Sequence, residues 1–234
     1  MQMAIPERNA EAFRQALLAL NKSGVPYVIG GAFAMHRYSG VWRNTNDLDI
    51  YLERKHTARA VNALSHAGFL DCGEMAVGDR KWIYHATKNG VLVDLIWQPP
   101  NHLSPVDESF HARGQEGTFL EVPARFIPPD ELLWAKVFTL NRDRCDWPDL
   151  FHVVRARPVG LDWEHVVRKM GEHWPVLLSF IILFDWAYPS ETQCIPRGLR
   201  EELLERNLSL PMPSEGPTHE AVLDPWIHTR GLSP

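Results

Sequence analysis

Cysteine is scarce in this chain: Cys72, Cys145 and Cys194 are its only three, far apart and never in a CxxC pair. An odd number at that spacing argues against a disulfide framework and a cysteine-rich zinc site, and fits a reducing compartment. Positive charge is also short. Lys and Arg number 24 against 29 Asp and Glu, a net charge of −5, so no broad basic field invites duplex nucleic acid, although a local basic groove remains open. No apolar run reaches membrane-spanning length. The longest, Trp174 to Ala187, falls short of the roughly 20 residues a span needs and contains Asp185. The N-terminus is charged within its first ten residues and lacks an apolar h-region, so no secretory signal is read there, and a cytoplasmic, soluble protein without a membrane partner is expected. The eleven histidines show no HExxH or other ligand spacing, and no G-x-S-x-G exists, which leaves zinc hydrolase and serine hydrolase chemistry unsupported.

What is present is ample core material: 45% apolar residues and nine tryptophans in 234 residues, enough for one or two domains. Phe13, Leu17 and Leu20 recur at helical spacing before Gly24, a helix with a glycine stop, and Val25 to Ile29 follows as a short apolar strand. Gly30-Gly31 closes that strand, Ala32 to Tyr38 suits a helix, and Asp47 to Leu52 alternates as a second strand. His56 to Gly68 has helical spacing again. Lys81 to Ala86 and Val91 to Trp97 read as two strands of a hairpin turned by Asn89-Gly90. Gln98 to Gly117, rich in Pro, His and Ser, reads as a loop or lid-like insertion, and Thr118 to Val122 as a final strand. Beyond Pro128-Pro129 the pattern is helical: 130–140, 147–155, 162–169, 174–186 and 199–206. The tail from Leu208 carries five prolines and reads as irregular. The expected architecture is therefore α/β, a mixed sheet with flanking helices over residues 1–127, a mainly helical region over 128–207, and an irregular tail, 208–234.

The chemistry concentrates between Ile29 and Leu52. Strand alternation points Asp47 and Asp49 to one face while Leu48 and Ile50 point to the other. Adjacent carboxylates repel and are tolerated where a cation holds them, an arrangement of hard oxygen donors suited to Mg²⁺ with a bound phosphate chain. The glycine pair ahead of a helix points free backbone N–H groups outward, which is a phosphate-binding geometry. In Val91 to Trp97 every residue is apolar but Asp94, and a charge in a buried strand costs several kcal/mol unless paired or metal-bound. Three such carboxylates form the set that two-metal phosphoryl or nucleotidyl transfer needs. A lone D-x-D would read as an exposed strand or turn, but the third aspartate and the glycine pair stand with it.

Gly30-Gly31, Arg43-Asn44-Thr45-Asn46-Asp47-Leu48-Asp49-Ile50 and the later Asp94 resemble the DNA polymerase β-like nucleotidyltransferase superfamily. The nearest resemblance is to small bacterial members: minimal nucleotidyltransferases, AbiEii-type toxins, and aminoglycoside and lincosamide adenylyltransferases. The resemblance spans roughly residues 25 to 97. Fifteen residues separate Gly31 from Asp47, which favours the longer-spaced AbiEii-like and antibiotic-modifying groups. It continues at Pro129 to Lys136, where Lys136 matches a lysine directed at nucleotide phosphates. Asp146 and Asp149 match a following acidic segment, with Cys145 where a basic residue is usual; acidic residues at a helix start also simply favour its dipole.

The resemblance implies Mg²⁺-dependent transfer of a nucleoside monophosphate from an NTP to a hydroxyl acceptor, releasing pyrophosphate. It implies Asp47 and Asp49 as metal ligands, and Asp94 as the carboxylate that completes the metal site, all three catalytic and with room for two metals. Gly30 and Gly31 would offer backbone to the nucleotide, with Arg43, Thr45 and Lys136 as further nucleotide-binding candidates. Arg43 fits either a phosphate contact or an ion pair with a strand carboxylate; Thr45 fits loop shaping better than substrate contact. His36 reads as packed or superficial, and Trp42 and Trp97 flank the site, where one ring would be placed to stack on a base. The weak basic balance favours a small-molecule acceptor such as an antibiotic, or a protein, over RNA. The alternatives are a noncatalytic nucleotide-binding or toxin–antitoxin protein that keeps the fold, and a tRNA-directed nucleotidyltransferase toxin. The preferred base and the oligomeric state are not encoded in these motifs.

Overall fold

The computed structural model describes residues 5–72, 82–99, 103–157, 160–209 and 219–223. The chain forms two compact units, Met1–Leu132 and Leu133–Pro234. In the first, helix α1 (Glu7–Ser23) buries Ala12, Phe13, Ala16, Leu17 and Leu20, the face the sequence periodicity marks, and ends on Gly24 in the left-handed region at φ 66°. Burying each large apolar side chain of this kind contributes about 1.5–3 kcal/mol. Strand β1 is only Val28–Ile29, shorter than the expected 25–29, because Pro26 has no N–H to give to a ladder. Helix α2 (Gly31–Ser39), strand β2 (Asp47–Tyr51), helix α3 (Thr57–His66) and the two-residue strand β3 (Leu70–Asp71) follow.

Strands β4 (Ile83–Lys88) and β5 (Val91–Ile96) form the hairpin that Asn89-Gly90 announces; both turn residues are left-handed, at φ 53° and 74°. The expected beginning of that hairpin, Lys81, lies outside the described residues, as does part of the expected loop, 100–102. The rest of that loop is more regular than its composition suggests. Helix α4 (Glu108–Ala112) starts on Asp107, whose carboxylate accepts from the Ser109 N–H, and strand β6 (Gln115–Phe119) begins inside the expected loop. The turn then falls at Leu120-Glu121, within the expected final strand, and strand β7 (Val122–Phe126) runs back. Leu120 and Glu121 both adopt left-handed backbone, φ 51° and 65°, a conformation that costs a non-glycine residue roughly 1–2 kcal/mol. No Asn or Gly announces that turn, so pairing with the sheet, not local preference, imposes it.

The sheet has seven strands in the order β3-β4-β5-β2-β1-β7-β6 and is mixed: β2 runs parallel to β5 but antiparallel to β1, and β1 runs parallel to β7. Helix α5 (Pro129–Lys136) follows β7, and the division between the two units falls within it; it ends earlier than the expected 140, where Leu140 instead bridges to Cys145. The second unit is helical: α6 (Trp147–Ala156), α7 (Trp163–Met170), α8 (Trp174–Ala187), α9 (Arg197–Ser209) and α10 (Glu220–Leu223). Trp147, Phe151, Phe180 and Phe184 form its aromatic centre, with Phe151 4.8 Å from Phe180 and 5.6 Å from Phe184 between ring centroids. The tail expected to be irregular contributes the end of α9 and the short α10; residues 210–218 and 224–234 lie outside the described set.

Candidate active site

The site belongs to the first unit and begins with the pleat of β2. Leu48 and Ile50 are fully buried on one face, and Asp47 and Asp49 emerge half-buried on the other. Parallel pairing sets Asp49 directly opposite Asp94 of β5, which is only 7% exposed. One carboxylate oxygen from each of Asp47, Asp49 and Asp94 lies within 4.8 Å of the others. Two like charges at that separation repel by about 3 kcal/mol at an effective dielectric near 20, so three side by side call for a compensating cation. The Asp94 carboxyl is accordingly pushed above the ordinary range, first by burial and further by the charge of Asp47, while a hydrogen bond and charge interaction with His85 pull it back.

Gly30 and Gly31 press the β1–α2 turn against this cluster. The Gly30 N–H donates to the Asp49 carbonyl at 2.9 Å, and a Cβ on Gly30 would run into the Tyr51 ring. Gly31 has φ 54°, and a Cβ there would overlap the Asp49 carboxylate, lying 2.6 Å from its Cγ. Only glycine satisfies both the backbone and the contact. No side chain caps α2, so its first-turn N–H groups are offered beside the carboxylates, where an anion would meet the positive end of the helix dipole.

Other expected residues fall on the loop ahead of β2, in the core of the first unit, or in the second unit. The Thr45 hydroxyl donates to Asp47 Oδ1, so Thr45 orients a carboxylate as well as shaping the loop. Arg43 is exposed on the same loop. Trp42 is buried, with its ring 5.7 Å from Phe33 and 5.5 Å from His36, which makes both Trp42 and His36 packed side chains. Trp97 is buried as well. Lys136 lies in the second unit, where its Nζ donates to Asp146 at 2.6 Å. Arg144 also donates to Asp146, at 2.7 and 3.0 Å, so that carboxylate serves two cations and does not cap α6. Asp149 sits in the first turn of α6, where its charge favours the dipole.

One residue at the cluster is absent from the sequence reading. His85 of β4 stands opposite Asp94, with Nδ1 2.7 Å from Asp94 Oδ1. The signal for it was local: counting outward from a two-residue turn at Asn89-Gly90 pairs 88 with 91, 87 with 92, 86 with 93 and 85 with 94.

Residues 9–138, more than half of the chain and including every carboxylate of the cluster, match the family described as "Nucleotidyl transferase of unknown function (DUF2204)". The chain belongs to this nucleotidyl transferase family. The assignment agrees with the superfamily resemblance carried by Gly30-Gly31, the D-x-D and Asp94. Solved structures with a similar fold include the antibiotic-resistance factor ANT(2″)-Ia, 15% identical over 88% of this chain and 96% of that one, with a TM-score of 0.43. The lincosamide antibiotic adenylyltransferase LnuA is 14% identical over 64% of this chain and 98% of that one, with a TM-score of 0.44. An antigenic nucleotidyltransferase-like protein from Paracoccidioides brasiliensis is 16% identical over 81% and 94%, with a TM-score of 0.49. No curated protein sequence matches the chain. Among the described residues no helix is long and apolar enough to cross a membrane.

Proposed function

We propose that this nucleotidyltransferase moves a nucleoside monophosphate from an NTP to a hydroxyl on a small molecule, such as an antibiotic, or on a protein, with release of pyrophosphate and dependence on Mg²⁺. The observation that carries the reading is the convergence of Asp47, Asp49 and Asp94 beside the glycine turn. Their fit to a hard divalent cation rests on the donor set, which is all carboxylate oxygen, and on the mutual repulsion that a cation relieves. These three residues would hold Mg²⁺, which would supply neutralising charge for the triphosphate and the pyrophosphate leaving group.

The chain's own residues do the rest. Thr45 holds one oxygen of Asp47, and the Gly30 N–H ties the turn to the backbone of Asp49, so the acidic pair and the start of α2 keep a common geometry. The first-turn N–H groups of α2 bind phosphate oxygens, and Arg43 adds a guanidinium from the loop ahead of β2. Asp94 completes the cation site and accepts the hydrogen bond of the acceptor hydroxyl, drawing electron density toward its oxygen. The acidic overall balance, −5, favours a small or protein acceptor over an RNA end.

Incubating the protein with labelled NTPs, Mg²⁺ and a cell lysate tests the reading, since it reports donor and acceptor class together. Label transfer by the wild type and its loss in a folded Asp49→Asn variant are expected. Undiminished transfer by that variant would refute the assignment, and saturable NTP binding without any labelling would favour a noncatalytic member.

A further inference from the structure

His85 extends the acidic row by one strand. Antiparallel pairing sets it directly opposite Asp94, and parallel pairing sets Asp94 directly opposite Asp49. Residues directly opposite in neighbouring strands project from one face, so His85, Asp94 and Asp49 form a single row across β4, β5 and β2. A carboxylate that binds a cation is ionised and can only accept, so in that state the 2.7 Å contact has Nδ1–H of His85 donating to Asp94 Oδ1. The torsion that turns a carboxylate about its own axis is otherwise broad and nearly two-fold, so an aspartate without such a partner presents its oxygens over a range of angles. The Asp94 side chain is 10% exposed and that of His85 23%, so water competes weakly for this bond.

We infer that His85 is a positioning residue for the cation site: its Nδ1–H fixes the rotation of the Asp94 carboxylate, so the three aspartates meet a divalent cation with their oxygens already set. The inference rests on the reading of Asp47, Asp49 and Asp94 as a cation site. His85 is not one of the three residues whose oxygens converge, so its action runs through Asp94. Loss of an outer partner of this kind costs about 10- to 100-fold in metal affinity.

Calorimetric titration of the full chain with Mn²⁺ alone, without nucleotide, provides a readout independent of turnover. His85→Leu keeps much of the volume and removes the donor; it is expected to weaken Mn²⁺ binding about 10- to 100-fold. In His85→Asn the amide N–H replaces Nδ1–H, and affinity is expected to return close to wild type. In His85→Gln the amide sits one methylene farther out, and affinity is expected to stay low. Melting curves by circular dichroism accompany each variant, and if His85→Leu does not fold, the Asn and Gln pair decides. Equal Mn²⁺ affinity in wild type and His85→Leu, or equal affinity in His85→Asn and His85→Gln, would overturn the positioning role. Asp49→Asn titrated alongside separates the two levels. Wild-type Mn²⁺ affinity in that variant would bring down the cation site itself, whereas loss of binding there with His85→Leu unaffected would remove only the role of His85.

Discussion

Replacing Gly31 with alanine separates two demands that the glycine meets at once. The first is backbone: at φ 54° an L-residue pays roughly 1–2 kcal/mol. The second is the close approach, since the new methyl would fall on the Asp49 carboxylate, 2.6 Å from its Cγ, and forcing a methyl into a filled space costs about 1–3 kcal/mol. Gly40, the C-cap of α2, is the matched control. Its φ is 70°, but a Cβ there meets nothing within 4 Å, so Gly40→Ala pays the backbone term alone. Urea unfolding should therefore give a loss of about 1–2 kcal/mol for Gly40→Ala and about 2–5 kcal/mol for Gly31→Ala. The excess is relieved by pushing Asp49 away from its partners, and a displacement near 1 Å at a reacting centre costs on the order of 100-fold in rate. Label transfer should thus collapse in Gly31→Ala and survive in Gly40→Ala under conditions where both are folded. Equal stability losses in the two variants, together with wild-type Mn²⁺ affinity in Gly31→Ala, would refute the argument that the turn is pressed against the cluster.

The repulsion within the cluster predicts that, with divalent cations chelated, Asp47→Asn unfolds no earlier than wild type and gains between about 1 and 3 kcal/mol. Saturating Mg²⁺ should reverse the order in thermal melts, because binding at about 1,000 times Kd stabilises the wild type by about 4.1 kcal/mol; a wild type indifferent to Mg²⁺ would contradict the cation site. In the second unit, Asp146 is 1% exposed, and breaking a buried pair of this kind costs about 3–5 kcal/mol, so Asp146→Asn should lower the urea midpoint strongly at pH 7. Burial raises the Asp146 carboxyl, but Lys136 and Arg144 outweigh it and hold the group below its usual range. That contribution is therefore complete above the unfolded value near 3.9, and the gap between wild type and Asp146→Asn should close as pH falls from about 4 through the lower native value. A gap that stays constant down to pH 2 would show that the ion pairs are not its source.

Features whose cause lies within a few neighbouring residues were legible before folding. The alternation of Asp47 and Asp49 with Leu48 and Ile50, the glycine stop of α1 and the Asn89-Gly90 hairpin all follow from local geometry, as did the helices at 147–155, 162–169 and 174–186. His85 was equally local, two-residue turn and register being enough, yet a histidine among eleven carries no label until its partner aspartate is counted across the hairpin. The Leu120-Glu121 turn, by contrast, contradicts its own residue preferences, and no local reading would put a bend between those two.

By itself, then, the sequence determined that the chain carries carboxylates on one face of a strand, a glycine pair ahead of a helix and a third aspartate in an apolar strand, because strand pleat and glycine's freedom are properties of the residues in place. Only the tertiary structure decided that these parts are one site. Parallel strands such as β2 and β5 are joined by a long crossover, and nothing in either strand states the register that sets Asp49 opposite Asp94. The same holds for the overlap that makes Gly31 obligatory beside Asp49, and for the Lys136 ammonium, which is held by Asp146 in the second unit. Residue identity settles which groups are available to react, and the packing of distant segments settles which of them meet.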